Sequence, residues 1–389
     1  MTDVMDIVRN HNSYRAATLN LQVSENVLSQ KAREALSSDM ASRYSLVIDS
    51  DDAYGGTRYS TELLAQVERL ACDVYGARYA EVRTIGGHIA ASAVLLGLIR
   101  KRESIMAVAE KNGGYTGYAQ GYLPHMYGFQ SYYIPFNGGR QEIDLASFEK
   151  VMDEISPKLI VLGQSFFVKP YDLKQIRRIA DRFDSLIAYD GSHVMGLIAG
   201  KQFQPDVLEY CDVLYGSTHK TFFGPQGGIV LTNDRHIMDS VRKSLIWKTM
   251  DNYHISRVAA LGVALEEMKK YGKEYAANVV SNTKKLARSM DESGIPVDHA
   301  PWYSESHQSL LNSEKLKEMG LSFLEFSKKL EANGMIVDRE GRIGSAEVTR
   351  MGIRDIERVG PLMAEAMKGG DVKDEVRKIV SELSIQYCE

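Results

Sequence analysis

The segment YGSTHKTFFGPQGG, Tyr215 to Gly228, holds the residue with the sharpest chemical potential in this chain. A short apolar run ending at Tyr215 leads into a turn carrying Ser217, Thr218, His219 and Lys220, and a glycine-rich turn follows. Open α/β sheets gather ligands at the C-terminal ends of their strands, where such a turn would sit. A partly desolvated lysine near other cations is a nucleophile for carbonyl groups, and the hydroxyls of Ser217 and Thr218 suit a phosphate. An ordinary surface lysine in a loop would read the same way. A second segment, LIAYDGSHVMGL (Leu186–Leu197), ends its apolar run at Asp190, with His193 three residues on. A carboxylate at a strand end can pair with a pyridinium nitrogen and keep it protonated; it can equally cap a helix.

Two further segments add complementary groups. In RTIGGHIAASAVLLGL (Arg83–Leu98), Gly86, Gly87 and His88 precede an apolar helix, whose unpaired N–H groups and dipole suit an anion such as phosphate. In GRIGSAEVTRMG (Gly341–Gly352), Arg342 opens an alternating stretch that predicts a strand. Arginine is the natural two-pronged clamp for a carboxylate, although a surface salt bridge explains its spacing as simply. A strand-end aspartate followed thirty residues later by a strand-end Ser-Thr-His-Lys is the pairing that a pyridoxal-phosphate site needs on neighbouring strands.

These residues require elements to hold them. Short apolar runs at Ile105–Ala109, Leu159–Leu162, Leu186–Tyr189, Val213–Tyr215 and Ile229–Leu231 have strand length and end near Gly, Ser or Asp. Between them, Thr61–Tyr75 and Leu173–Phe183 carry apolar residues at helical spacing. The alternation predicts an α/β layer with a mostly parallel sheet. Beyond about residue 245 the texture becomes α+β: helices over Val258–Met268, Tyr275–Met290 and Phe323–Ala332, strands at Met335–Val337 and Arg342–Val348, and a helical C-terminus. The expected organisation is an N-terminal segment 1–30, a large domain 31–250 and a smaller C-terminal domain 251–389.

Bulk properties exclude other classes. The 389 residues are 44% hydrophobic and 25% charged, with a net charge of −4, so nothing in the composition supports a nucleic-acid partner. Cys72, Cys211 and Cys388 have no metal or disulfide spacing, which fits a reducing cytoplasm. The N-terminus lacks the apolar core of a signal peptide. The longest apolar run, Ile89–Ile99, is too short for a bilayer, so no membrane partner is expected.

Taken together, the four segments resemble serine hydroxymethyltransferase, a family of pyridoxal-phosphate enzymes with fold type I (aspartate aminotransferase-like). LQVSEN (Leu21–Asn26), RYSLVIDSDDAYGG (Arg43–Gly56), KNGGYTGY (Lys111–Tyr118) and GQSFF (Gly163–Phe167) extend the resemblance, which covers roughly residues 20–232 and the Arg342 segment. It implies that Lys220 carries the cofactor as a Schiff base, that Asp190 pairs with the pyridine nitrogen and that His193 contacts the ring or its substituents. It implies that Gly86, Gly87, His88 and Ser217 cradle the phosphate. Tyr115 stacks on the ring where the family usually has histidine, Ser165 approaches the ring oxygen, and His219 is counted among the cofactor contacts. Arg342, Ser24 and Tyr54 are the implied substrate contacts. Tyr44 and Tyr54 reach the neighbouring subunit's site, with Tyr54 also taking part in catalysis, so a homodimer or higher even oligomer follows. No metal is called for.

The departures bear on the reaction. Two residues after its first tyrosine the family has a glutamate that moves a proton during one-carbon exchange; here that position is Leu46. The neighbouring carboxylates Asp49, Asp51 and Glu25 are the candidates to replace it. The family's glycine-rich loop after the lysine strand gives way to LIWKTMDNYHISR (Leu245–Arg257), and the arginine shortly after the lysine is Gln226. The expectation is therefore a small amino-acid substrate bound as an external aldimine and aldol-type cleavage of serine, threonine or another β-hydroxy amino acid. A folate-like one-carbon carrier is implied by the family but opposed by Leu46, and Leu46→Glu is expected to raise any folate-linked activity provided the pterin can still dock. Transamination, racemisation or β-substitution on the same scaffold is the alternative. A non-catalytic binding protein is a third, against which the retained Lys220 counts.

Overall fold

The computed structural model describes residues 3–48 and 51–388. A seven-stranded sheet organises the larger of two compact units, which comprises residues 28–276 with 388–389. Its strands are β1 (Tyr79–Glu81), β2 (Ser104–Ala107), β3 (Gln130–Tyr133), β4 (Leu159–Leu162), β5 (Leu186–Asp190), β6 (Val213–Ser217) and β7 (Gly228–Thr232). They lie in the order β1-β7-β6-β5-β4-β2-β3. All neighbouring pairs are parallel except those made by β7, which runs antiparallel to both β6 and β1. The central strands are buried along their whole length, which is why they read as unbroken apolar runs rather than as alternations. The edge strand β3, QSYY, is only partly buried and polar, and β1 carries a buried glutamate, so neither shows as an apolar run.

Helices cover the sheet. α1 (Arg58–Tyr75) begins three residues before the expected start and buries Leu64, Val67, Ala71 and Val74. It ends where Gly76 takes a left-handed conformation, φ 72°. α2 (Gly87–Leu98) is apolar on nearly every side because it packs against β6 and β7 on one face and α3 (Arg235–Leu245) on another. Gly97 permits the contact with α3, since a Cβ there would lie 3.0 Å from the carbonyl oxygen of Ser240.

The two helices expected over 258–290 are one, α4 (Ile255–Glu292). Gly272 lies inside it as a packing residue: a Cβ on Gly200 would come within 2.3 Å of the Gly272 carbonyl oxygen. The close approach of two backbones, not a break, explains that glycine. The expected boundary at 250/251 falls just ahead of this helix, whereas the compact units divide within it, at 276/277.

The smaller unit comprises residues 1–27 and 277–387. Strand Leu19–Asn20 pairs in parallel with Met335–Ile336, which brings Leu19 and Leu21 into a core with Phe326, Leu330, Ile343 and Met363. Strand Arg342–Gly344 pairs antiparallel with Gln308–Leu310. It stops sooner than its alternation suggested: Ala346–Arg350 is a helical turn with Ala346, Val348 and Arg350 buried. Helix Phe323–Ala332 carries a full capping box between Ser322 and Glu325. Helix Val4–Ala16 buries none of its residues. Among the described residues no helix is long and apolar enough to cross a membrane.

Candidate active site

Strand order brings three of the four chemical segments to one edge of the large unit's sheet. β5 and β6 are parallel neighbours with Asp190 opposite Tyr215, so Asp190 and the Ser217–Lys220 turn leave the sheet side by side. β7 returns antiparallel and sets Gly228 opposite Ser217. A Cβ on Gly228 would lie 2.6 Å from the Gly86 carbonyl oxygen, which places the start of α2 at the same edge. Upstream of α2, Arg83 is locked to Glu81 by two hydrogen bonds, Nε to Oε1 at 2.8 Å and Nη2 to Oε2 at 2.6 Å. Burial opposes the charge on Glu81, but the adjacent Arg83 guanidinium holds its carboxyl below the ordinary range.

The side chains at this edge form a connected set. Lys220 Nζ donates to Ser217 Oγ at 2.8 Å. The Ser217 amide donates to Ser192 Oγ (3.1 Å), and Ser192 donates to Asp190 Oδ1 through both its amide (3.0 Å) and its hydroxyl (2.5 Å). On the other oxygen, Tyr118 donates to Asp190 Oδ2 at 2.6 Å, and Tyr118 lies 2.6 Å from the Tyr215 hydroxyl. Tyr115 meets Tyr118 edge-on, with ring centres 5.3 Å apart, and its hydroxyl lies 2.9 Å from His88 Nδ1. Asp190 caps no helix: the residues after it turn, and the next helix begins at Met195. Its carboxylate is held by neutral donors on both oxygens.

Other expected residues take distinct places. His193 is buried, and its carbonyl accepts from the Thr221 hydroxyl at 2.8 Å. Ser165 lies beside the Tyr115 segment, with its amide donating to Gly113 O at 2.7 Å. His219 is pushed down to about 3, first by burial and then by the charge of Lys220, and its Nδ1 is buried without a hydrogen bond. Tyr44 and Tyr54 stand apart as an exposed aromatic pair, ring centres 4.6 Å apart, with the Tyr44 hydroxyl on Asp251 at 3.3 Å. In the small unit, Ser24 is half-buried, and Arg342 Nε donates to Asp338 Oδ2 at 2.5 Å with both side chains nearly enclosed. That ion pair is buried rather than on the surface.

The departures are structured too. Leu46 is 2% exposed, so its side chain is core and faces no solvent. A glutamate there would enter the core. Of the carboxylates named as replacements, Asp51 is exposed, Glu25 is engaged by Arg15 and Asn20 in the small unit, and Asp49 lies outside the described residues. The 43–54 segment is tied to the altered 245–257 stretch: Ser45 Oγ donates to Asp52 Oδ2 (2.5 Å) and lies 2.7 Å from the Tyr253 hydroxyl. Gln226 is exposed. Arg257, from the altered stretch, is buried beside Gly227, where a Cβ would lie 2.7 Å from its Nη1. Burial pushes Arg257 down to about 10, and its Nε and Nη1 are without hydrogen bonds.

Tyr118, Tyr215 and Ser192 did not emerge from the sequence as site residues. Ser192 stood within Asp-Gly-Ser-His, and Tyr118 follows Tyr115 at one-turn spacing; only the folded structure shows that both reach Asp190.

The cluster can be tested against a pyridine-ring phosphate cofactor. Gly86 takes the N-cap position of α2, and nothing lies within 4 Å of where its Cβ would be. A Cβ on Gly87 would sit 3.1 Å from Ser217 Cβ and 3.3 Å from Ser192 Oγ, so a side chain there would fill the cradle. The lysine, a fixed carboxylate and an open helix N-terminus at one sheet edge fit such a group. This is the architecture of a pyridoxal-phosphate enzyme of fold type I.

Comparison with known proteins agrees. The family model described as serine hydroxymethyltransferase matches residues 1–320. The serine hydroxymethyltransferase of Methanothermobacter marburgensis is 34% identical over 400 residues, covering 97% of this chain and 93% of the relative. That of Methanopyrus kandleri is 33% identical over 411 residues, covering 100% and 95%. Among solved structures, L-threonine transaldolase from Pseudomonas fluorescens superposes with a TM-score of 0.88 at 24% identity, over 99% of this chain and 92% of that one. The chain belongs to the serine hydroxymethyltransferase family. It is a pyridoxal-phosphate-dependent enzyme of the transferase type.

Proposed function

We propose that this enzyme makes or breaks the Cα–Cβ bond of a β-hydroxy amino acid without a pterin carrier. The burial of Leu46 carries this reading, because the position that in the family moves a proton during one-carbon exchange is here part of the core. The Lys220–Ser217–Ser192–Asp190 network supports retained chemistry at the amino acid itself.

Lys220 would hold pyridoxal phosphate covalently. Gly86, Gly87, His88 and Ser217 would hold its phosphate, Asp190 its pyridine nitrogen and Tyr115 its face, with His193, His219 and Ser165 around the ring. When bound, the cofactor supplies an electron sink for the charge left at the substrate's α-carbon. The protein supplies orientation and protons. Ser217 fixes the Lys220 amine by accepting its hydrogen bond. His219, uncharged near neutral pH, adds no second positive charge beside that amine. His88 is exposed, and in the tautomer whose Nδ1–H donates to the Tyr115 oxygen, Nε2 is the nitrogen that would take the proton of the substrate's β-hydroxyl. Arg342, already aligned by Asp338, would grip the substrate carboxylate, with Ser24 as a further contact. The exposed Tyr44–Tyr54 pair supports a homodimer in which each subunit completes its partner's site. The free thiols of Cys72 and Cys211 fit a reducing cytoplasm.

The test is incubation of the purified protein with threonine and with serine, with and without tetrahydrofolate. Acetaldehyde from threonine, undiminished without the carrier, is the expected result. Efficient serine-to-glycine conversion only with tetrahydrofolate would overturn the carrier-free reading. Keto-acid products would indicate transamination instead.

A further inference from the structure

Asp190 faces two hydroxyl groups whose roles follow from counting protons. A carboxylate only accepts, so the single phenolic proton of Tyr118 must point at Asp190 Oδ2, 2.6 Å away. The 2.6 Å contact between Tyr118 and Tyr215 then has only one possible sense: Tyr215 donates and Tyr118 accepts. The result is a directed chain, Tyr215 to Tyr118 to Asp190. Both rings are fully buried, and burial raises both phenols, with the charge on Asp190 adding to the effect, so the two hydroxyls remain protonated donors at any working pH. Chained hydroxyls in a low-dielectric interior polarise one another, which makes the terminal bond to the carboxylate stronger than an isolated one.

We propose that Tyr118, oriented by Tyr215, is a positioning residue that fixes the rotation of Asp190 and the lone pair it offers a pyridine nitrogen. The inference rests on the assignment of Asp190 as the partner of that nitrogen. Ser192 holds Oδ1 by two bonds and Tyr118 holds Oδ2 by one. Removal of the phenol frees one oxygen of a carboxylate that is otherwise clamped. Tyr118 also sits edge-on beneath Tyr115, so one side chain braces both the carboxylate and the expected stacking ring.

The experiment uses the protein reconstituted with 15N-labelled pyridoxal phosphate. Tyr118→Phe should weaken cofactor affinity roughly tenfold, the order expected for losing a hydrogen bond to a charged acceptor. It should also move the pyridine 15N resonance toward that of the unprotonated ring. Tyr215→Phe keeps the Tyr118–Asp190 bond and should change affinity by about threefold or less. Should Tyr118→Phe not fold, 3-fluorotyrosine at position 118, which has a more acidic hydroxyl in nearly the same shape, should move the resonance the opposite way. An unmoved resonance in either Tyr118 variant overturns the positioning role, provided Asp190→Asn moves it. If Asp190→Asn leaves it unmoved as well, the Asp190 assignment is the one that fails.

Discussion

Exchange of Leu46 for glutamate introduces the side chain that the family resemblance implies at this position but places it where this structure has only core. Leu46 is 2% exposed, so a carboxylate on its side chain would enter an enclosed space, on a residue whose amide already donates to Asp52 Oδ1 at 3.2 Å. The glutamate stem keeps part of the buried area, so the apolar loss is about 1 kcal/mol. Keeping the carboxyl neutral means raising it from about 4.3 to about 7, and at about 1.36 kcal/mol per unit that adds about 3.7 kcal/mol. The total, about 4–5 kcal/mol, is a large share of a typical folding free energy of about 5–15 kcal/mol. The sign with pH follows from linkage. A glutamate whose folded value is raised binds more protons folded than unfolded, so the deficit grows as pH rises above about 4.3 and shrinks as pH falls toward it. Denaturant unfolding of Leu46→Glu, Leu46→Met and the parent at pH 5 and pH 7.5 checks this, with the methionine variant within about 1.5 kcal/mol of the parent. A Leu46→Glu protein as stable as the parent, and newly active in tetrahydrofolate-dependent exchange, would refute the argument, because side chain 46 would then have to reach the reacting centre.

Borohydride reduction of the cofactor-loaded protein followed by peptide mapping should find the label on Lys220 and none in Lys220→Ala; label on another lysine would displace the assignment. Gly87→Ala should weaken pyridoxal phosphate more than pyridoxal, since its Cβ would press on Ser217 at 3.1 Å in the phosphate cradle; equal losses for the two would move the phosphate elsewhere. His219 has its folded value depressed to about 3, so its neutral form contributes stability above about 6.5 that is progressively lost as pH falls toward 3. Relative to the parent, His219→Gln should therefore gain about 2 kcal/mol between pH 7 and pH 5, measured by denaturant unfolding of the cofactor-free protein; parallel pH profiles would count against a buried neutral imidazole.

Legibility in the sequence tracked burial and register. β4, β5, β6 and β7 announced themselves because both faces are buried and each carries an unbroken apolar run, whereas β3 and β1 are an edge strand and a strand built around Glu81. Gly272 suggested a break because one-dimensional pattern cannot distinguish a glycine that ends a helix from one that admits a second backbone. Lys220, Asp190 and the Gly86–Gly87 turn were legible because each stands at an abrupt change from apolar run to polar turn. Tyr118 and Tyr215 were not, since an aromatic in a strand or beside one looks like packing until the register sets its hydroxyl 2.6 Å from a partner. The burial of Leu46 was hidden for the converse reason: its neighbours Tyr44 and Ser45 gave no alternation from which an inward face could be read.

The hydrogen bonds that join Ser45, Asp52 and Tyr253 couple the 43–54 stretch, which holds Leu46, to the altered 245–257 stretch. A change in either stretch therefore alters the setting of the other. A chimera whose incoming 43–54 stretch lacks Ser45 would strand the Tyr253 hydroxyl, and one whose incoming 245–257 loop lacks Tyr253 would leave Ser45 without that partner. Epistasis of this kind makes the pair a single heritable module, so sequence divergence within the family should be concerted across some two hundred intervening positions.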